Sequence, residues 1–298
     1  VSATIPDQTK VQGTDITLND GSVCAEAANN DVIGWVTDPS LYDLEYEKGG
    51  TYSEDEDLSL IALYGVYMQD MTTGLCNSLT VSTSAEDSHS YRLYDKRDGK
   101  RYRIAKLNFN GVEQCMMTQN LRIVDKTISS EDSNMLSGSF TIPASSEGWG
   151  NDESFTTPKI FDTGYTGNGV LYNYYTTTAG TISDTTTSGD TTSDICPKNW
   201  RLLTPDEYFD INTTYNDGDY GAGANYDKLK AAPLFFANNT IYGDYGTWYS
   251  NGSYWTSKIY SNNNAVTFDF YIQGGETHVI MDTRTKKSGN AVRCIFNL

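Results

Sequence analysis

Histidine is almost missing from this chain: 298 residues contain two, His89 in DSHSY and His278 in ETHVIM. A histidine general base would have to come from one of these two isolated sites. Cations are scarce as well, with 21 Lys and Arg against 39 Asp and Glu and a formal net charge of −18. No basic stripe exists to displace phosphate counterions, so nucleic acid is excluded as a partner. Electrostatic docking on an anionic membrane is disfavoured for the same reason. The acidity reads as a solvated surface. No run approaches ~18 apolar residues, so membrane insertion is not expected. No signal peptide is visible, and the chain opens at Val1 rather than Met, so removal of a leader or upstream region is expected.

Catalytic signatures are lacking too. The sequence has no GxSxG, HExxH, P-loop or GxGxxG pattern, and its many carboxylates sit in acidic surroundings where pairs are usually solvated. A non-enzymatic role is expected. Five cysteines (Cys24, Cys76, Cys115, Cys196 and Cys294) are spread widely, with no CxxC or Cys/His cluster, which disfavours zinc and thioredoxin-type chemistry. Two long-range disulfides and one leftover thiol is the simplest arithmetic, and it points to an oxidising, extracellular location. Five buried free thiols in a cytosolic protein is the alternative.

What the chain has instead is 22 Tyr and 26 Gly among abundant Ser, Thr and Asn, a composition favouring a β-rich or loop-rich fold. Its organising stretch is Asp194 to Tyr208, DICPKNWRLLTPDEY. Trp200 and Leu202 alternate with polar neighbours as in a short strand. Thr204 is a good N-cap, Pro205 suits the first helical position, and Glu207 stands where a capping box needs its carboxylate. Cys196 needs a partner, and the best candidate is Cys294 in NAVRCIF. That bridge closes a loop of about 98 residues, worth up to ~4–5 kcal/mol by the chain-entropy argument. Cys76 is paired with Cys115 because both flank one hairpin, and Cys24 is left unpaired or intermolecular.

Along the chain, residues 1–67 form the first domain and 68–298 the second. The first carries a strand around Trp35, a Gly49-Gly50 turn and a strand from Leu58 to Val66, with Trp35 and Tyr64 as core anchors. The second opens with turns at Asp98-Gly99 and Asn110-Gly111. A polar, turn-rich segment spans 130–194, in which Leu171, Tyr172, Tyr174 and Tyr175 carry enough apolar area to be buried. After the capped helix comes a short helix in DKLKAAPLFF, ending near Pro233. Strands follow around Trp248, Trp255, Phe268 and Phe270.

GWVTDP, the Gly-Gly turn and the closing Leu63-Tyr64-Gly65-Val66-Tyr67 resemble the β-grasp repeat of internalin-type (Listeria–Bacteroides) surface proteins. That repeat opens with a strand before the part matching Val1. The resemblance therefore implies an unpaired edge, left by trimming or filled by another chain through β-augmentation. MTQNL, ICPKNWRL, the capped helix, YWTSKIY and the final AVRC resemble, in that order, the Fibrobacter succinogenes major paralogous domain over 68–298. That family looks like a branch of the C-type-lectin-like fold shared with formylglycine-generating enzymes. The expected fold class is α+β, mostly β: a small β-grasp repeat, then a twisted antiparallel sheet with two short helices, long loops and a disulfide joining its ends. Departures are Asn199 in place of a usual Gly, Leu203 of a usual Pro and Met116 of a usual Trp. Asn199 also tolerates the left-handed conformation.

Two constellations are candidate sites. NDGDYGAG (Asp217, Asp219) and EDEDLS (Glu54 to Asp57) are oxygen-rich loops of the kind calcium uses, with a solvated polar turn as the plainer reading. Tyr249, Tyr254, Tyr260, Asn262, Asn263 and Asn264 form a candidate contact surface of adaptable residues, and Trp255 is core. The plainer reading makes Trp248 another core residue and SNNN a turn. The expected function is a secreted bacterial cell-surface structural or adhesion protein, assembling into a filament or surface layer by strand exchange. Its partner is a copy of itself or another surface protein or glycan. The alternative is a glycan- or protein-binding lectin-like module with calcium assistance, and the third is a degenerate enzyme of the formylglycine-generating type.

Overall fold

The computed structural model describes residues 8–22, 31–38, 44–83, 91–144, 156–162, 169–182, 186, 188–231, 234, 236, 240–242, 248–250 and 252–298. Cys24, His89 and Pro233 lie outside them. Over the described residues the chain is α+β and mostly β, with several antiparallel sheets. It divides into two compact units, Val1–Asp70 with Arg92–Arg101, and Met71–Tyr91 with Tyr102–Leu298. The Asp98-Gly99 turn thus belongs to the first unit, where the sequence had placed it in the second. Three bonds draw it there: Leu44 N–H donates to the Gly99 carbonyl (3.2 Å), Tyr94 N–H to that of Val66 (3.0 Å), and the Gln69 amide to Asp95 (2.8 Å).

In the first unit, β1 (Ile16–Thr17), β2 (Asp31–Val36), β3 (Tyr46–Glu47), β4 (Thr51–Tyr52) and β5 (Ile61–Gly65) form two small sheets. β1 pairs with β4, and β2 lies between β3 and β5. Gly49 makes the expected turn at φ +71°, which a side chain rarely adopts. One buried cluster is Leu18, Trp35 and Tyr52, and Val32, Ile33 and Val36 of β2 are buried too. Tyr64 is only half-buried, and Tyr52 fills the place expected of it. β5 starts at Ile61 rather than Leu58, because Leu58 and Leu60 turn onto the Trp35 cluster ahead of the strand.

In the second unit, one sheet carries Trp200–Leu202, Cys294–Phe296, Val112–Met117 and Arg101–Phe109 as successive antiparallel neighbours. The other orders Gly189–Asp190, Gly252–Ile259, Asn264–Gln273, Glu276–Thr285 and Gly221–Ala222. The helix Pro205–Tyr215 begins as its sequence dictates: the Thr204 hydroxyl accepts from Glu207 N–H, and the Glu207 carboxylate accepts from Thr204 N–H. Asn199 takes φ +69°, so it does the backbone work of a glycine.

Two short helices were expected, and four are present among the described residues. The additions, Thr73–Ser78 and Tyr174–Thr177, are each capped by one side chain, Thr72 and Asn173. The expected second helix covers only Asp227–Lys230, and Leu234 and Phe236 beyond it are buried in the core.

Both expected disulfides are formed, Cys76–Cys115 and Cys196–Cys294. Behind the second lies a core of Tyr208, Phe236, Tyr254, Phe268 and Phe270. Arg293 is buried among them, its guanidinium 4.9 Å from the Phe236 ring and bonded to Asn120 and the carbonyls of Met117 (3.1 Å) and Leu234 (3.3 Å). Burial pulls its pKa below the usual arginine value.

Asp194 ties the disulfide loop to the sheet. It accepts from Cys196 N–H (2.9 Å), Leu202 N–H (3.1 Å) and the Asn134 amide (2.8 Å). Burial pushes its carboxyl up to about 6 against those three donors. A raised aspartate pKa means the ionised form costs stability. Its contribution is therefore fully present below the unfolded value and declines as pH rises through about 6.

Two outcomes are expected. Replacing Cys196 and Cys294 together by serine lowers unfolding stability by about 4–5 kcal/mol in denaturant titration, the 98-residue closure being lost. Asp194→Asn removes the pH slope near 6 but costs about 1–3 kcal/mol, because the amide nitrogen cannot accept from the backbone donors it faces. Thermal melts of both proteins from acid to neutral pH check it.

Candidate functional site

One opening, lined by described residues, lies in the first unit. Between the β1–β4 ribbon and the Trp35–Ala62 side of the sheet is a groove of about 600 Å³. Its floor is apolar: Ile16, Leu18, Trp35, Tyr52, Leu58 and Leu60. Its rim is the acidic run Glu54 to Asp57. The floor exists because β4 and β1 each turn one residue inward, Tyr52 and Ile16, and these face one another across the ribbon. The Trp35 indole N–H is spoken for by the Asn19 carbonyl (3.0 Å), so its ring is held in place. Among the described strands β5 pairs with β2 alone, and Ile61 at its start is exposed.

Residues 8–13 cross the groove as a strap fastened at both ends. The Gln8 side-chain amide donates to the Thr17 carbonyl (2.8 Å) and accepts from Asn19 N–H (2.9 Å). Lys10 donates to the Ser53 carbonyl (2.9 Å) and is ion-paired with Asp55. Both Asp55 oxygens also accept from Gly13 N–H (2.9 and 3.1 Å). The Lys10 bond, then the Gly13 N–H, hold the Asp55 carboxyl below the usual aspartate range.

The other residues singled out from sequence do not converge. Tyr254 was expected on a contact surface, but it is fully buried, with its ring 4.8 Å from Phe236 and 6.0 Å from Phe270. Its strand is covered on both faces, so alternation gave it no solvent side. Tyr260 is 62 % exposed, and Asn262 and Asn263 are exposed with it at the tip between Gly252–Ile259 and Asn264–Gln273. Asn264 is half-buried and its carbonyl accepts from Tyr260 N–H (3.1 Å) and Ser261 N–H (3.0 Å). Tyr249 stands on the ribbon strand Trp248–Ser250, away from that tip in sequence. Trp255 is core, as expected, with its indole N–H on the Tyr172 carbonyl (2.7 Å).

Asp217 and Asp219 are engaged separately. Asp217 is paired with Lys228, and Asp219 accepts from Asn225 N–H (2.7 Å) while its carbonyl takes the Asn212 amide (3.0 Å). Both therefore serve their own loop. In the EDEDLS run the cation beside Asp55 is Lys10. Among the described residues no three His, Cys, Asp or Glu side chains gather as a metal site. His278 stacks on Tyr271 at 4.8 Å.

Comparison with protein-family models, with curated proteins and with solved structures gives no match to this chain. The groove is therefore argued from its own chemistry. Sequence reasoning did not find Gln8 or Lys10, since their partners lie nine to forty-five residues away and no local pattern links them.

The strap should respond to acid. A depressed aspartate pKa contributes above the unfolded value of about 4 and is lost as pH falls through the lower folded one. The protection factor of the Gly13 amide, its exchange measured against the intrinsic rate at the same pH, is expected to be high near pH 6 and to fall in acid once Asp55 is protonated. In Asp55→Asn it should be lower already at pH 6. Equal protection in both proteins at pH 6 would remove Asp55 as the fastener.

Proposed function

We propose that this is a secreted bacterial cell-surface protein with a structural or adhesive role and no catalytic one. Its first unit, an internalin-type β-grasp repeat, accepts an extended strand from another chain. Its second unit is a C-type-lectin-like domain of the Fibrobacter succinogenes major paralogous type. The observation that carries the reading is the groove: half-buried Ile16, Leu58 and Leu60, over the buried Leu18, Trp35 and Tyr52, line an opening beside the edge strand β1, and a strand laid there would cover them.

Further support comes from the second unit. The resemblance rests on MTQNL, ICPKNWRL, the capped helix, YWTSKIY and AVRC in that order; the capped helix and the Cys196–Cys294 link that the resemblance implies are both formed. Two disulfides suit an oxidising compartment. No helix among the described residues is long and apolar enough to cross a membrane. Strand exchange between copies is a heterologous contact, and it builds a filament where the rotation does not close.

One observation favours a second reading, a lectin-like module binding glycan or protein through its tip. Tyr260 and Asn262–Asn263 are exposed on a turn whose backbone is fixed by the Asn264 carbonyl and by Lys286 N–H on the Asn263 carbonyl (2.7 Å). Such a turn presents polar and aromatic groups without needing to be ordered on binding.

Size-exclusion chromatography and electron microscopy of native material test assembly. A ladder of oligomers or filaments is expected, and Trp35→Ala should collapse it to monomers. Monomers alone, at every concentration tried, would remove the assembly role. A glycan array, with and without calcium, separates the second reading.

A further inference from the structure

The way residues 8–13 sit in the groove shows what an occupant must bring. Thr17 carbonyl and Asn19 N–H flank Leu18 on the outer edge of the ribbon, the pair a neighbouring strand would engage in a ladder. Here a side-chain amide, that of Gln8, takes both. Next to it the Lys10 side chain is only 12 % exposed, its stem lying in the groove and its ammonium on the Ser53 carbonyl and Asp55. Exposed Glu54, Glu56 and Asp57 surround that point. About 600 Å³ stays open beside the strap.

We infer that the groove selects an extended segment that alternates apolar residues and carries a lysine or arginine. This rests on the strand-acceptor reading above. The segment's backbone takes over Thr17 and Asn19 from Gln8. Its apolar side chains lie on Ile16, Leu58 and Leu60, the half-buried apolar residues of the lining. Its cation takes the place of Lys10 at Asp55, within a rim where a carboxylate would meet like charge. The strap is thus a placeholder: it satisfies the polar groups that line the groove and competes with the guest. A short cationic peptide gains further from the chain's net charge of −18, through faster encounter at low salt, whereas a second copy, itself at −18, gains only from the cation its segment brings to Asp55.

The test uses the full chain and three short synthetic peptides. Each alternates valine and threonine, with a central lysine, glutamate or threonine, and binding is read by fluorescence anisotropy. Amide shifts at Gly13 and Asn19 locate it. The lysine peptide is expected to bind about three- to tenfold tighter than the glutamate peptide at low salt, the gap closing in high salt. Asp55→Asn should shrink the gap, and so should E54Q/E56Q/D57N, which keeps the strap fastener. Gln8→Ala with Lys10→Ala should tighten the lysine peptide by about threefold or more, since the competitor is gone. Equal affinity for all three peptides, with shifts at Asn19, would overturn the selection by charge and leave strand acceptance standing. No binding to either the native chain or the strap variant would overturn strand acceptance along with it.

Discussion

The link between Cys196 and Cys294 ties the bend just before the strand Trp200–Leu202 to the strand Cys294–Phe296, its neighbour in the sheet. Leu202 pairs with Cys294 and Trp200 with Phe296, whose rings meet edge-on at 5.5 Å. Covalent closure and ladder pairing therefore constrain neighbouring segments, and a little under half of the second unit lies in the loop between them. Asp194 then fastens the loop before the bridge, and the helix from Pro205 starts just after the paired strand. Arg293, next to the second cysteine, is carried into the aromatic core, where it meets Phe236 and Tyr254 and the carbonyls it needs. A buried cation is costly unless its donors are all met, so its position depends on the strand being held in register.

The first unit is built on different terms. One of its buried clusters, Leu18, Trp35 and Tyr52 with half-buried neighbours around them, lies under the strap, while Val32, Ile33, Val36, Leu93 and Tyr94 are buried elsewhere in the unit. The strap across it is fastened by polar side chains at exposed sites, and such contacts each contribute little in water. Segments that must open to admit a partner are drawn from the less stable part of a fold. The first unit thus holds its strap by single polar contacts, whereas the second is densely packed and twice cross-linked.

Much of the second unit was legible locally. A capping box needs only Thr204, Pro205 and Glu207 in their order, and the Asn110-Gly111 turn needs only two residues with positive φ. The contact surface was legible in part. Tyr254 and Tyr260 look alike in sequence, yet one is core and one is exposed. The difference arises because the strand Gly252–Ile259 is covered on both faces, Tyr254 by Phe236 and Phe270, Trp255 by Tyr174. Covering layers come from distant chain segments, so period-two patterning does not reveal them. The acidic EDEDLS run was noticed for its oxygens, and its cation proved to be a lysine forty-five residues away.

Composition, cysteine spacing and capping signals were enough by themselves to set a β-rich, disulfide-closed chain with a helix starting at Thr204, because each depends on short-range chemistry or simple counting. Only the tertiary structure decided which tyrosines face solvent, which helices short caps could sustain, and that Gln8, Lys10 and Asp55 meet over an apolar groove. Those outcomes depend on long-range packing, and the free energy of a contact between remote residues is not written in the neighbours of either one.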